Sequence, residues 1–115
     1  MKIIDIFFDK LNISIKYSVG SNASDNFKII DEANENDLWF HVDELPSCHV
    51  IAEIPENLSK KDLKYICKKG ALLCKQYSKF ASMKDLCIVY TQIKNVEKTE
   101  TIGSVIIKNG KKIMC

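Results

Sequence analysis

Between Ser59 and Lys79 the residues Leu63, Ile66, Cys67, Gly70, Leu73, Cys74 and Tyr77 recur at steps of three and four. That spacing collects side chains on one face of an α-helix. Ser59, with Asp62 three residues later, resembles a capping box in its weaker Asp form and marks where the helix opens. A helix with one apolar stripe must bury it against another layer. The remaining segments supply that layer as strands. Lys2–Phe8 is followed by Leu11–Val19, where Leu11, Ile13, Ile15, Tyr17 and Val19 alternate with polar neighbours across a turn at Asp9-Lys10. Gly20 breaks the second strand, and Ser21 or Asn22 can cap a short helix to about Ala33. Asp37–Asp43 and Ser47–Ile54 flank Glu44-Leu45-Pro46, and Pro55 ends the second of these strands. Leu86–Gln92 is a further strand, and Ser104–Lys108 is expected to pair with Lys111–Cys115 across Asn109-Gly110, a strong hairpin signal. Strands that arrive as hairpins rather than alternating with helices predict an α+β domain. Its sheet is expected to be largely antiparallel, with two helices packed on one face.

At 115 residues, with no repeat, low-complexity tract or Pro/Gly-rich linker, residues 1–115 read as one domain. A hydrophobic fraction of 46% and a charged fraction of 28% argue against disorder. No apolar run approaches the ~20 residues of a membrane span. Asp5 and Asp9 interrupt any signal-peptide layout in the first ten residues. Five cysteines, an odd number without a secretory signal, read as reduced thiols and point to a cytoplasmic or nuclear setting, of which the cytoplasmic is expected.

Charge is unevenly spread. Residues 1–57 hold 4 Lys against 11 acids, whereas residues 58–115 hold 13 Lys against 4 acids. The net charge of +2 thus conceals an acidic half and a basic half, a hint of an anionic partner for the basic part. All 17 basic residues are lysines, so an anion site here lacks the guanidinium fork and relies on ammonium groups, backbone N–H or imidazole. Seven lysines and one acid, Asp62, lie between Leu58 and Phe80. Helical spacing gathers Lys61, Lys64, Lys68, Lys75 and Lys79 into a stripe opposite the apolar face. Such a stripe is commonly just a solvated surface, but here intrahelical ion pairs cannot account for it. A ridge of this kind can neutralise several phosphates, with affinity that falls steeply in salt.

If the strands around residues 44–46 pair as a hairpin, Trp39 faces Ile51, His41 faces His49 and Asp43 faces Ser47. Leu38, Phe40, Val42, Cys48, Val50 and Ala52 then point to one apolar face, the core. The other face collects the single Trp and both His residues of the chain. Three readings fit this patch. The first is a half-buried histidine pair satisfied by hydrogen bonds beneath a neighbouring segment. The second is a recognition surface where Trp39, His41 and His49 stack on bases. The third is a metal site with Asp43 or Glu53 as further ligands, which would support a metal-dependent hydrolase. A protein-interaction adaptor of the translation machinery, with the acidic half meeting a basic partner, is a further alternative. Cys67 and Cys74 fall on the apolar helix face and read as core.

Gly20 through Asn26, Asp-Leu-Trp-Phe-His-Val-Asp at 37–43, Ser-Cys-His-Val at 47–50, Val-Tyr-Thr at 89–91, Lys98-Thr99 and Gly103 follow one another in an order and spacing that resemble the NFACT-R family. This is the RNA-binding module of NFACT proteins in ribosome-associated quality control, and the resemblance extends to its standalone eukaryotic version. It implies a non-catalytic α+β module without cofactor or metal that contacts RNA, on tRNA or the ribosome, or DNA in the standalone proteins. It carries nucleic-acid contact to Trp39, His41, His49 and Lys98, with Gly20, Asn26 and Gly103 as structural positions. This chain departs from the family at Ser21, Asp43 and Glu53, where basic residues are usual, and at Ser47-Cys48, where Gly-Ser is common. Asp43 and Glu53 beside the histidines would repel phosphate. If the imidazoles make the contact, affinity should rise below about pH 6.5.

Overall fold

The computed structural model describes residues 1–115. Strands β1 (Lys2–Phe8) and β2 (Ile13–Val19) form a hairpin in the register Lys2↔Val19 to Phe8↔Ile13. The turn closes on the Phe8 carbonyl, which accepts from the N–H groups of Leu11 and Asn12, with Asn12 at φ 53°. Helix α1 (Ala23–Glu32) follows, capped by Asn22, whose side chain accepts from the Asp25 N–H. Then come β3 (Leu38–Val42), β4 (Val50–Ala52), helix α2 (Lys60–Gln76) and β5 (Cys87–Gln92). A 3-10 turn at Ile93–Asn95 leads into β6 (Val96–Lys98), β7 (Val105–Ile107) and β8 (Lys111–Met114). Six strands make one sheet in the order β1-β2-β4-β3-β5-β8, and every neighbouring pair is antiparallel. The expected α+β class and the antiparallel sheet are therefore observed.

α2 covers one face of this sheet. Ser59 caps it as expected, its hydroxyl accepting from the Asp62 N–H at 3.1 Å. Ile66, Cys67, Ala71, Leu73 and Cys74 pack on Ile15, Tyr17, Leu38, Phe40, Val42, Val50 and Ile88. The approach is close. A Cβ added at Gly70 would lie 2.4 Å from Phe40 Cζ, so only glycine lets the helix axis settle over that ring. The buried Tyr17 hydroxyl donates to the Ile66 carbonyl at 2.8 Å, which leaves no polar group stranded at this contact.

Two expectations need correction. The helices do not share a face: α1 lies on the opposite side, where Ile29 and Ile30 pack with Trp39, Ile51 and Val89. The physical reason is visible in β3, where Leu38, Trp39, Phe40 and Val42 are buried from both faces. A sheet apolar on two sides needs two covering layers. Nor do the last two strands form a hairpin. β7 pairs with β6 as a separate ribbon (Val96↔Ile107, Lys98↔Val105), whereas β8 joins the free edge of β5 (Cys87↔Met114, Tyr90↔Lys111). Asn109 has φ 54°, but Gly110 does not share the positive φ that a type I′ turn needs at both positions. Asn109-Gly110 is instead a corner between the ribbon and the sheet. Thr91 Oγ1 pins it by donating to the Lys108 carbonyl at 2.9 Å. Val96, Val105 and Ile107 of the ribbon add to the layer over Trp39.

Candidate nucleic-acid interface

β3 and β4 pair in the register Trp39↔Ile51 and Phe40↔Val50, as the alternation predicts. Two residues further, the His41 and His49 rings lie 5.1 Å apart, edge to face. Trp39 stacks on His41 with centroids 5.5 Å apart and planes 8° from parallel, and it meets His49 edge-on at 5.3 Å. Its indole Nε1–H donates to His49 Nδ1 at 3.1 Å. The three aromatic residues do gather.

They do not gather in the open. α1 and the β6–β7 ribbon close over this face, leaving Trp39 and His49 each 2% exposed, while His41 is half-buried. The first of the three readings, a satisfied pair beneath a covering segment, describes the geometry. The expectation of an uncovered Trp/His platform is overturned, because a ring sealed under a helix has no π-face left for a base. Trp39 and His49 instead anchor the fold. Asn26 of α1 accepts the His49 backbone N–H through Oδ1 at 3.2 Å, and the Gly20 N–H donates to the His49 carbonyl at 2.9 Å. A Cβ at Gly20 would lie 2.0 Å from Asn26 Oδ1, so the strand can approach α1 only as glycine. Gly103, at φ +82°, presses on Ala23 from the ribbon side and offers its backbone to the His49 ring.

Burial also fixes the protonation states. His49 is lowered to about 3, first by desolvation and then by the neighbouring His41. His41 is lowered by desolvation, opposed by the Val42 carbonyl and Asp43. Burial therefore favours the neutral form of both imidazoles, and with His49 sealed, only the half-buried His41 is left to drive the affinity rise expected at mild acidity. The metal reading meets a similar obstacle, because the Nδ1 lone pair of His49 is already spent on the Trp39 indole. Asp43 is neutralised by Lys112, with Nζ 3.0 Å from Oδ2, whereas Glu53 is exposed on the sheet surface. Lys98 is engaged within the chain: its ammonium pairs with Asp31 and lies 5.2 Å over the Phe27 ring.

The lysine ridge is in the open. Lys61, Lys64 and Lys68 are exposed and Lys75 half-buried on the outer face of α2. Ion pairs in the structure join the chain's amino terminus to Asp25, Lys98 to Asp31 and Lys112 to Asp43, so the ridge is unpaired. From Lys61 to Lys75 the rise along the helix is about 21 Å. Ridge and aromatic cluster lie on opposite sides of the sheet and cannot touch one short ligand together. Periodicity alone could not reveal this, since it does not say which sheet face α1 takes. Cys67 and Cys74 are core residues as expected, and all five cysteines are free thiols.

The profile of a family described as the NFACT protein RNA binding domain matches residues 6–112. The chain belongs to this family. The chain is also similar to coiled-coil domain-containing protein 25 from Danio rerio, at 33% identity over 86 residues, spanning 70% of this chain and 40% of that protein. Among solved structures, the C-terminal part of the fibronectin/fibrinogen-binding protein from Streptococcus suis superposes with a TM-score of 0.74 over 87% of this chain and 40% of that one. At 22% identity the second likeness shows a shared fold. Gly20, Asn26, Trp39, His49 and Gly103 meet in one knot that ties α1 and the ribbon to the sheet.

Proposed function

We propose that this chain is a non-catalytic RNA-binding module that holds RNA by its phosphates along the α2 ridge, through Lys61, Lys64, Lys68 and Lys75. The observation that carries the reading is a helix face with several unpaired ammonium groups, in a domain whose family binds RNA. Both sheet faces are covered at the centre, so an aromatic platform of the kind that reads single-stranded bases is not available there. Recognition then rests on backbone charge, and the partner is RNA with closely spaced phosphates, such as tRNA or ribosomal RNA. The resemblance to NFACT proteins of ribosome-associated quality control favours the same partners and a cytoplasmic setting.

Filter binding with a tRNA at 50 and 200 mM salt tests this. With about four phosphates neutralised, affinity should fall by roughly 50- to 150-fold over that range. The double variant Lys64→Gln/Lys68→Gln should flatten the slope of log affinity against log salt by about 1.4–1.8. Absence of salt-sensitive binding, or an unchanged slope in the double variant, refutes the reading.

A further inference from the structure

The ridge leads to a second feature that the RNA reading above does not use. Past the end of α2 the chain turns at Tyr77. Tyr77, Ser78 and Lys79 form one wall of an open cleft of about 610 Å³, within the ~300–1,000 Å³ range of small-ligand sites. Lys2 of β1 and Ser47 of the β3–β4 loop line it from the sheet, and Ile102 closes the ribbon side. The wall composition is uneven in a telling way. Two lysines and several hydroxyl groups line the cleft, with no carboxylate, although the chain carries 15 acids. Asp25, in the first turn of α1, is tied to the Ser21 hydroxyl and to the chain's amino terminus. Two large side chains with apolar surface are exposed there, Tyr77 at 37% and Ile102 at 61%. Lys2 Nζ lies 5.0 Å above the Tyr77 ring, so a cation and an aromatic face meet at the same spot.

We propose that this cleft takes one unpaired nucleotide of the bound RNA. Its base would rest between Tyr77 and Ile102, and its phosphate would be met by Lys2 and Lys79. The inference rests on the ridge reading: Lys79 lies three residues past the end of α2, so RNA held along the helix meets the cleft just beyond its C-terminal end. The chemistry fits a nucleotide better than a lone phosphate or an apolar ligand. A phosphate would not need the exposed tyrosine and isoleucine, and an apolar ligand would not need two ammonium groups. Lys2 can leave the ring for the incoming phosphate, exchanging a cation–π contact of ~0.5–1 kcal/mol at an exposed site for a charge-assisted bond.

The test is fluorescence anisotropy with two RNA hairpins of the same stem, one blunt and one with a two-nucleotide single-stranded end. Binding of the overhang hairpin should be about tenfold tighter, within the range that stacking one base gives. Tyr77→Leu keeps an apolar group at the site without an aromatic face. It should erase the difference while leaving blunt-hairpin affinity unchanged, and Tyr77→Phe should preserve the difference. Equal affinity for both hairpins in the native chain, or a difference that survives Tyr77→Leu, overturns the cleft proposal and leaves the ridge reading standing. If neither hairpin binds, the ridge reading fails and takes the cleft with it.

Discussion

Lowering the pH from 7 to 4.5 should destabilise this domain chiefly through one residue. His49 is buried, its Nδ1 accepts the Trp39 indole proton, and its folded-state value is lowered to about 3. In the unfolded chain it returns to about 6.5. Between those values the unfolded state holds a proton that the native state refuses, so stability is full above about pH 6.5 and is lost progressively as the pH falls towards 3. At pH 4.5 the unfolded value is two units above the pH, and at ~1.4 kcal/mol per unit the loss relative to pH 7 is about 2–3 kcal/mol. That is a large share of the ~5–15 kcal/mol that holds a domain together. With a urea dependence of ~1–3 kcal/mol per molar, the unfolding midpoint should drop by about 1–2 M. Trp39 is the only tryptophan and is buried in the same cluster, so its fluorescence reports the transition directly. His49→Asn keeps an oxygen near the Nδ1 position to accept from the indole but cannot titrate. Its midpoint should start lower at pH 7 and fall much less on acidification, with a smaller slope left from His41, which burial also lowers. A native midpoint that holds constant from pH 7 to 4.5, or the same slope in His49→Asn, would refute the account of His49 as a sealed neutral ring.

Other perturbations address the remaining contacts. Gly20→Ala should push Asn26 Oδ1 away from the strand and strand the His49 N–H, a loss of about 1–3 kcal/mol visible in thermal unfolding. Gly70→Ala should destabilise despite a helix-propensity gain of ~1 kcal/mol, because overpacking against Phe40 costs roughly 1–3 kcal/mol; a raised melting temperature would disprove the close approach. Trp39→Phe leaves the His49 Nδ1 without its donor and should cost about 1–3 kcal/mol in urea unfolding. Lys98→Gln should leave tRNA affinity within about twofold, since its ammonium is paired with Asp31, and the lost surface ion pair should change stability by less than about 1 kcal/mol.

Local rules carried much of the fold. Alternation set the β3–β4 register and named the core face residue by residue, because a one-residue slip would turn Phe40 and Val50 away from α2. Ser59 and Asn22 announced both helix starts through side chains that reach the third residue onward. Where local signals competed with long-range pairing they lost. Asn109-Gly110 favours a hairpin, yet the open edge of β5 captured β8, and β6, a strand with only three residues, took β7.

The chain's own order of residues determined that a lysine-rich helix would lack intrahelical ion partners on its outer face and that Trp39, His41 and His49 would meet. Composition and periodicity act within one element or one hairpin, and both results depend on nothing more. Whether that meeting place is a binding surface or an anchor depended on which side α1 and the β6–β7 ribbon would cover. Burial is a property of elements far apart in the chain. The same three aromatic residues that look like a platform on an isolated hairpin become, under a second layer, the neutral hydrogen-bonded centre that holds the layers together.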